Sequence, residues 1–419
     1  MTTSTLQNNL TVPQPKSSRY HLLDSFREIN IGTLNLTPKQ KQLVNEVLDT
    51  NRLSYGKFTK KFEHDFSKAH GCEFGIFCNS GTSALQIALA TLKIHGSWSD
   101  GDEVLVPAIS FVATSNIVLH NGMKPVFIDT DPRTYNIDPT KIEEKITKKT
   151  RAIIPVHLFG LVCEMQPIME IAKKYNLRVI EDSCECVYAK YKDKLAGSFG
   201  DISCFSTYVA HFLVTGVGGF ALTNNSTYAD TLRSLMNHGR DPIYTCIDDD
   251  KGLSSENLAE VVSKRFKFIW PGHSFRCTEM EAAIGVGQME NIESIIESRK
   301  ENALFLTEKL SKFGDHFQFP FQPENQNYSL MFYPIVIKSK KLDKVDLLNH
   351  LEMHGIETRD LFPLVNQPVN QTLFGDISKD YPVAMATSKN GFFVGCHQDL
   401  TQDDLEYVVQ VFDDFLKEL

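Results

Sequence analysis

The sequence predicts an α/β fold in which a mainly parallel sheet with crossover helices is followed by a smaller C-terminal α+β domain. Three observations carry this. From residue 75 onward, short β-branched or aromatic runs alternate with helical patterns, and strand then helix, repeated, means parallel strands joined by crossovers. The apolar runs are continuous rather than alternating, as expected for strands covered on both faces. Around residue 280 the texture changes to long helical periodicity followed by mixed strands and helices.

In chain order, the first 18 or so residues are polar and carry Pro13 and Pro15, so residues 1–19 read as a flexible tail. A large domain is expected over 20–295. Its strands are "FGIFCN", "EVLVPA", "KPVFIDT", "RAIIPVH", "RVIED" and "GFALTN", and its helices include "GTSALQIALATLKIHG", "SFVATSNIVLHNG", "DPTKIEEKIT" and "MQPIMEIAKKYN". The stretch beginning "EMEAAIGVGQMENIESIIESRKENALF" reads as one long helical run leading into a small domain over 296–419. There "YPIVIK" is a strand, and "KVDLLNHLEMHG" and "QDDLEYVVQVFDDFLKEL" are helices.

Composition narrows the function. With 419 residues, a large core is easily built. A net charge of −9 argues against nucleic acid as a partner. Nine scattered cysteines without a CxxC pair, and an N-terminus lacking an apolar segment, point to reduced thiols in the cytoplasm. The run from Cys204 to Asn225 contains no Lys, Arg, Asp or Glu, yet it is too polar and too interrupted by "GVGG" for a membrane span.

In open α/β sheets ligands sit beyond the carboxyl ends of the strands, so the loops there hold the candidates. Asn79, Ser80, Gly81, Thr82 and Ser83 form a small polar turn that opens a helix. That suits an anion at the helix N-terminus, or simply a helix cap. The strand "RVIED" ends in Glu181 and Asp182, with Glu185 following. Such acids could be a surface loop, a metal-ligand pair, or a carboxylate aimed at a cationic ligand atom. The uncharged run itself supplies Ser206, His211 and the glycines of "TGVGG". Phosphate turn, carboxylate and serine in this order match the way pyridoxal phosphate is held in a fold-type I enzyme.

At these residues the chain resembles the DegT/StrS-type sugar aminotransferase family, an aspartate aminotransferase-like, fold-type I group of PLP-dependent transferases. The likeness runs from about residue 28 to the end. It is carried by "SYGKFTKKFEHDFSKAHG", "NSGTSALQIALA", "SFVATSNIVLHNGMKPVFIDTDPRTYNID", "IIPVHLFG", "VIEDSCE", "GSFGDISCFSTY", "RCTEMEAAIGVGQ" and "GIETRDLFP". The resemblance implies a large domain with a mainly parallel seven-stranded sheet. It also implies pyridoxal or pyridoxamine 5′-phosphate as cofactor, with Gly81, Thr82, Ser83 and Ser206 at the phosphate, Phe111 stacked on the pyridine ring and Asp182 at the ring nitrogen, keeping it protonated.

The family places its cofactor-binding lysine five residues after that serine, where this chain has His211. A histidine-bearing branch of the family, the sugar 3-dehydratases that make 3,6-dideoxyhexoses from nucleotide-linked 4-keto-6-deoxyhexoses, uses pyridoxamine phosphate without a covalent link. There a histidine titrating near neutrality would act as base and then acid. Glu185 matches an acid found in that branch, and glutamate would be the amino donor. Related enzymes carry an iron–sulfur cluster whose cysteines would fall at positions occupied by Pro242, Tyr244 and Gly252, so no cluster is expected, although Cys246 lies close by. The family's "TGEGG" reads "TGVGG" through Val217. The asparagine that reaches the neighbouring subunit's phosphate reads Ser274, and Arg276 and Arg359 are candidate diphosphate contacts. A homodimer with shared sites is implied. Two rivals stay open: an aminotransferase using a lysine from elsewhere, and a non-catalytic binding protein.

Overall fold

The computed structural model describes residues 27–417 apart from 246–248, 322, 325 and 362. The tail expected over 1–19, and Cys246, lie outside the described residues.

The large sheet contains seven strands: β1 (Phe74–Cys78), β2 (Glu103–Pro107), β3 (Lys124–Ile128), β4 (Thr150–Ile153), β5 (Arg178–Asp182), β6 (Ile202–Ser206) and β7 (Gly219–Thr223). Their order is β1-β7-β6-β5-β4-β2-β3. Six strands run one way and β7 runs against both its neighbours. Both faces are covered, which explains the continuous apolar runs: β2 and β7 are buried at every residue.

The crossovers are the helices the periodicity predicts, among them α1 (Gly81–Gly96), α2 (Ala113–His120) and α3 (Met165–Tyr175). Two expectations differ. "DPTKIEEKIT" forms only two 3-10 turns, Pro139–Lys141 and Glu143–Lys145, because Pro139 and the Asp138 cap start a turn that too few residues continue. The long helical run is two helices, α4 (Glu279–Met289) and α5 (Ile292–Leu310), broken at Glu290 and Asn291. Asn291 takes a non-helical φ of −119°, consistent with its poor helix propensity. Beyond α5, a four-stranded antiparallel sheet has Phe317–Gln318, Phe332–Ile337, Gly391–Gly395 and Thr358–Asp360 in that order, backed by the helix Gln402–Lys417. Among the described residues no helix is long and apolar enough to cross a membrane.

The uncharged run is thus β6, an irregular loop and β7. Its glycines permit close approach. A Cβ on Gly219 would lie 2.4 Å from the Gly81 nitrogen, so only glycine lets β7 begin against the start of α1.

Candidate active site

The carboxyl ends of β1, β2, β5 and β6 converge on a cavity of about 750 Å³, closed on its far side by the small sheet through Phe332, Arg359 and Phe393. It lies where ligands sit in open α/β sheets.

The β1 turn opens α1. Ser80 caps the helix, its Oγ accepting from the Ser83 N–H at 3.0 Å, and the Ala84 N–H reaches the Ser80 carbonyl. A helix leaves its first N–H groups without an intrahelical acceptor, so Gly81 and Thr82 present theirs to the cavity they line. Ser83, expected at the phosphate, is instead buried in the cap and does not line the cavity. Gly81 is required by crowding, since a Cβ there would meet Cys184 Sγ at 2.8 Å and Ser206 Cβ at 2.9 Å.

The adjacent acids of β5 point to opposite faces, as strand alternation dictates. Glu181 is fully buried and accepts from His157 Nε2 (3.1 Å) and the N–H groups of Gly197, Phe199 and Gly200 (2.8, 2.6 and 2.7 Å). It is a structural clamp on the loop before β6, so neither a surface loop nor a metal-ligand pair describes these acids.

Asp182, 4% exposed, faces the cavity and accepts from Thr114 Oγ1 at 3.0 Å and the Cys184 N–H at 3.3 Å. Burial pushes its carboxyl above the usual range, against those hydrogen bonds. Among the described residues no lysine or arginine pairs with it, so the site holds a buried acid without a cation. Phe111 is 58% exposed at the cavity, a ring face open to a flat partner. Anion-binding turn, buried acid and open ring together fit the phosphate, pyridinium nitrogen and ring of pyridoxal phosphate.

His211 lies on the loop after β6 and faces the cavity, partly buried. Its Nδ1 is 3.2 Å from the Tyr208 carbonyl. A carbonyl can only accept, so Nδ1 carries the proton and Nε2 keeps its lone pair. Burial lowers its pKa to about 4, with the Tyr208 carbonyl opposing and the charge of Arg299 adding. This lies below the near-neutral titration that the resemblance implies and favours the neutral imidazole. Glu185 fills the near-neutral role. Burial raises it to about 7, opposed by the Phe159 N–H it accepts at 2.8 Å and assisted by the charge of Asp182. Phe159, which makes that contact, holds a left-handed φ of +58°.

Ser206, Val217 and Arg359 also line the cavity, Arg359 paired with Glu357. Ser274 and Arg276 do not. They lie exposed beside the end of β1, where Arg276 bridges to Cys78, with Arg276 Nη2 donating to Ser274 Oγ at 2.9 Å. Sequence reasoning missed Thr114, which orients Asp182, and the 30–32 segment over the cavity, whose Gly32 lies against Ala210. A hydroxyl one helical turn beyond Ser110 was the available signal for Thr114.

Fold and cavity together define a pyridoxal phosphate-dependent enzyme of the aminotransferase fold. The chain belongs to the DegT/DnrJ/EryC1/StrS aminotransferase family, which it matches over residues 35–413. It is 32% identical over 397 residues to the GDP-perosamine synthase of Caulobacter vibrioides, covering 94% of this chain and all of that one. Two solved structures, each 27% identical and each spanning 92% of this chain and all of theirs, are similar. One is a GDP-4-keto-6-deoxymannose-3-dehydratase with a histidine-to-asparagine substitution and bound GDP-perosamine (TM-score 0.83). The other is the E. coli GDP-4-keto-6-deoxy-D-mannose-3-dehydratase with bound hydrated PLP (TM-score 0.81). The protein is a sugar-modifying member of this family.

Proposed function

We propose that the protein removes the C3 hydroxyl of a nucleotide-linked 4-keto-6-deoxyhexose, with His211 working where an aminotransferase has its lysine. One observation carries this reading: among the described residues lining the cavity there is no lysine, while His211 lines it with Nδ1 at the Tyr208 carbonyl, which leaves Nε2 as the base. Bound as pyridoxamine phosphate, the cofactor supplies the amine that condenses with the 4-keto group and a ring that holds electrons. Asp182 would hold the proton at the ring nitrogen, its burial strengthening that pairing. His211 Nε2 takes up a proton and returns it toward the departing hydroxyl, and Glu185, half protonated near neutrality, is the second proton carrier. Arg359 in the cavity lining suits the diphosphate, and glutamate serves as amino donor.

Amino transfer to the same ketone is the second reading, supported by the likeness to GDP-perosamine synthase. Borohydride treatment of the cofactor-loaded protein separates the two. The dehydratase reading predicts a cofactor that dialyses away with no lysine adduct, and loss of turnover in His211→Asn. A stable lysyl adduct, or an undiminished His211→Asn variant, contradicts it.

A further inference from the structure

Arg299, on α5, is fully buried, yet among the described residues no carboxylate lies within ion-pair distance of it. Burying a charge without a counter-ion is costly, so such a group is held by other means. The fork binds three acceptors from three distant segments: Nε donates to Gln398 Oε1 at 2.9 Å, Nη1 to the Met331 carbonyl at 2.8 Å, and Nη2 to the His211 carbonyl at 3.3 Å. The guanidinium also sits 5.0 Å from the centre of the Phe212 ring. Met331 lines the cavity and leads into the small sheet, and Gln398 follows the strand Gly391–Gly395.

We infer that Arg299 is the positioning residue for His211: it fixes the main chain of the histidine loop against the small sheet so that the imidazole faces the cavity. This rests on the reading of His211 as the proton carrier. The guanidinium does not line the cavity, so Arg299 acts through the loop and not on the reacting atoms.

A cation behind an imidazole disfavours its protonated form. Charged groups surround the loop: Asp182, Glu185, Arg359 and Asp360 line the cavity, and His397 and Asp399 lie on the segment that Arg299 binds through Gln398. Arg299 is the one whose field reaches the imidazole, after burial and the Tyr208 carbonyl. His397 is likewise lowered to about 4, by burial first and Arg299 second, with Asp399 and Asp404 opposing, while Cys396 and Asp399 act on Arg299 itself. The same bonds thus hold the place of His211 and add to the effect of burial on its charge state.

The test compares Arg299→Met, which keeps bulk but removes charge and fork, with Arg299→Lys, which keeps charge. His211 is read directly in cofactor-free protein by its carbethoxylation rate against pH, located by peptide mapping. Arg299→Met should raise the midpoint of that curve from about 4 toward the ordinary value. Loaded with cofactor, it should lower kcat about 10²-fold with KM for the nucleotide sugar little changed. Arg299→Lys should keep the wild-type midpoint and recover part of kcat. A lower melting temperature with midpoint and kcat unmoved would make Arg299 merely structural and overturn the inference. Should Arg299→Met not fold, Arg299→Lys with wild-type kcat overturns it and a reduced kcat at constant midpoint supports it. Failure of the reading beneath it shows separately, as an active His211→Asn variant.

Discussion

At the scale of single residues the site depends on three titratable groups held apart in charge state by burial. Burial lowers His211 to about 4, raises the Asp182 carboxyl above its usual range and raises Glu185 to about 7. Glu185 carries a pH dependence with a definite sign. Its pKa is raised to about 7, so the proton-donating form exists below that pH and is lost above it, and turnover should fall on the alkaline side through about pH 7. Glu185→Gln, which can carry no proton, should lower turnover below pH 6 as well and so flatten that limb of the pH profile. A limb that survives unchanged in Glu185→Gln assigns it to another group. The same scale shows what sequence conveys poorly. Glu181 and Asp182 are adjacent and chemically alike, and only the face each takes in β5 separates a structural clamp from an acid that lines the cavity. Arg299 was invisible for another reason: it meets His211 across 88 residues of chain, and nothing in the local pattern of α5 distinguishes it from the basic residues around it.

At the scale of elements, the strand ends organise the site. The turn after β1, the end of β5 and the loop after β6 were legible in sequence because each is local, a strand followed at once by small or charged residues. Helix length was less legible, since a short periodic window such as Pro139–Lys145 cannot tell a helix from two isolated turns. The turn makes its own prediction. Replacing Gly81 by alanine would press a methyl group against Cys184 and Ser206 at under 3 Å, forcing the phosphate turn away from β6. Overpacking of this kind costs about 1–3 kcal/mol, so fluorescence titration should find cofactor affinity weakened by about tenfold or more. Unchanged affinity would mean that the N–H groups of this turn do not hold the phosphate.

At the scale of the whole molecule, the cavity gathers eight of the eleven residues expected at the site, and the three outside it divide into two kinds. Ser83 is absorbed by its helix cap. Ser274 and Arg276 are exposed on a face that also carries Phe266 and Phe268, 79% and 50% exposed, stacked about Arg240. Aromatic and arginine side chains left open together suit burial against another protein surface. The homodimer that the resemblance implies would use this face to meet a second copy of the chain. Light scattering should then give twice the chain mass, and Phe266→Asp should shift it toward the monomer with loss of activity. A monomer that turns over at the wild-type rate would contradict this arrangement.

The central claim is removal of oxygen in place of amino transfer, and the product decides it most directly. Protein supplied with glutamate, pyridoxal phosphate and a panel of GDP-, CDP- and dTDP-linked 4-keto-6-deoxyhexoses should yield, from one of them, a sugar lighter by a single oxygen. Its ketone should be retained, and ammonia should be released in equal amount. A product bearing an amine where the ketone was, with its C3 hydroxyl intact and no ammonia, would contradict the account.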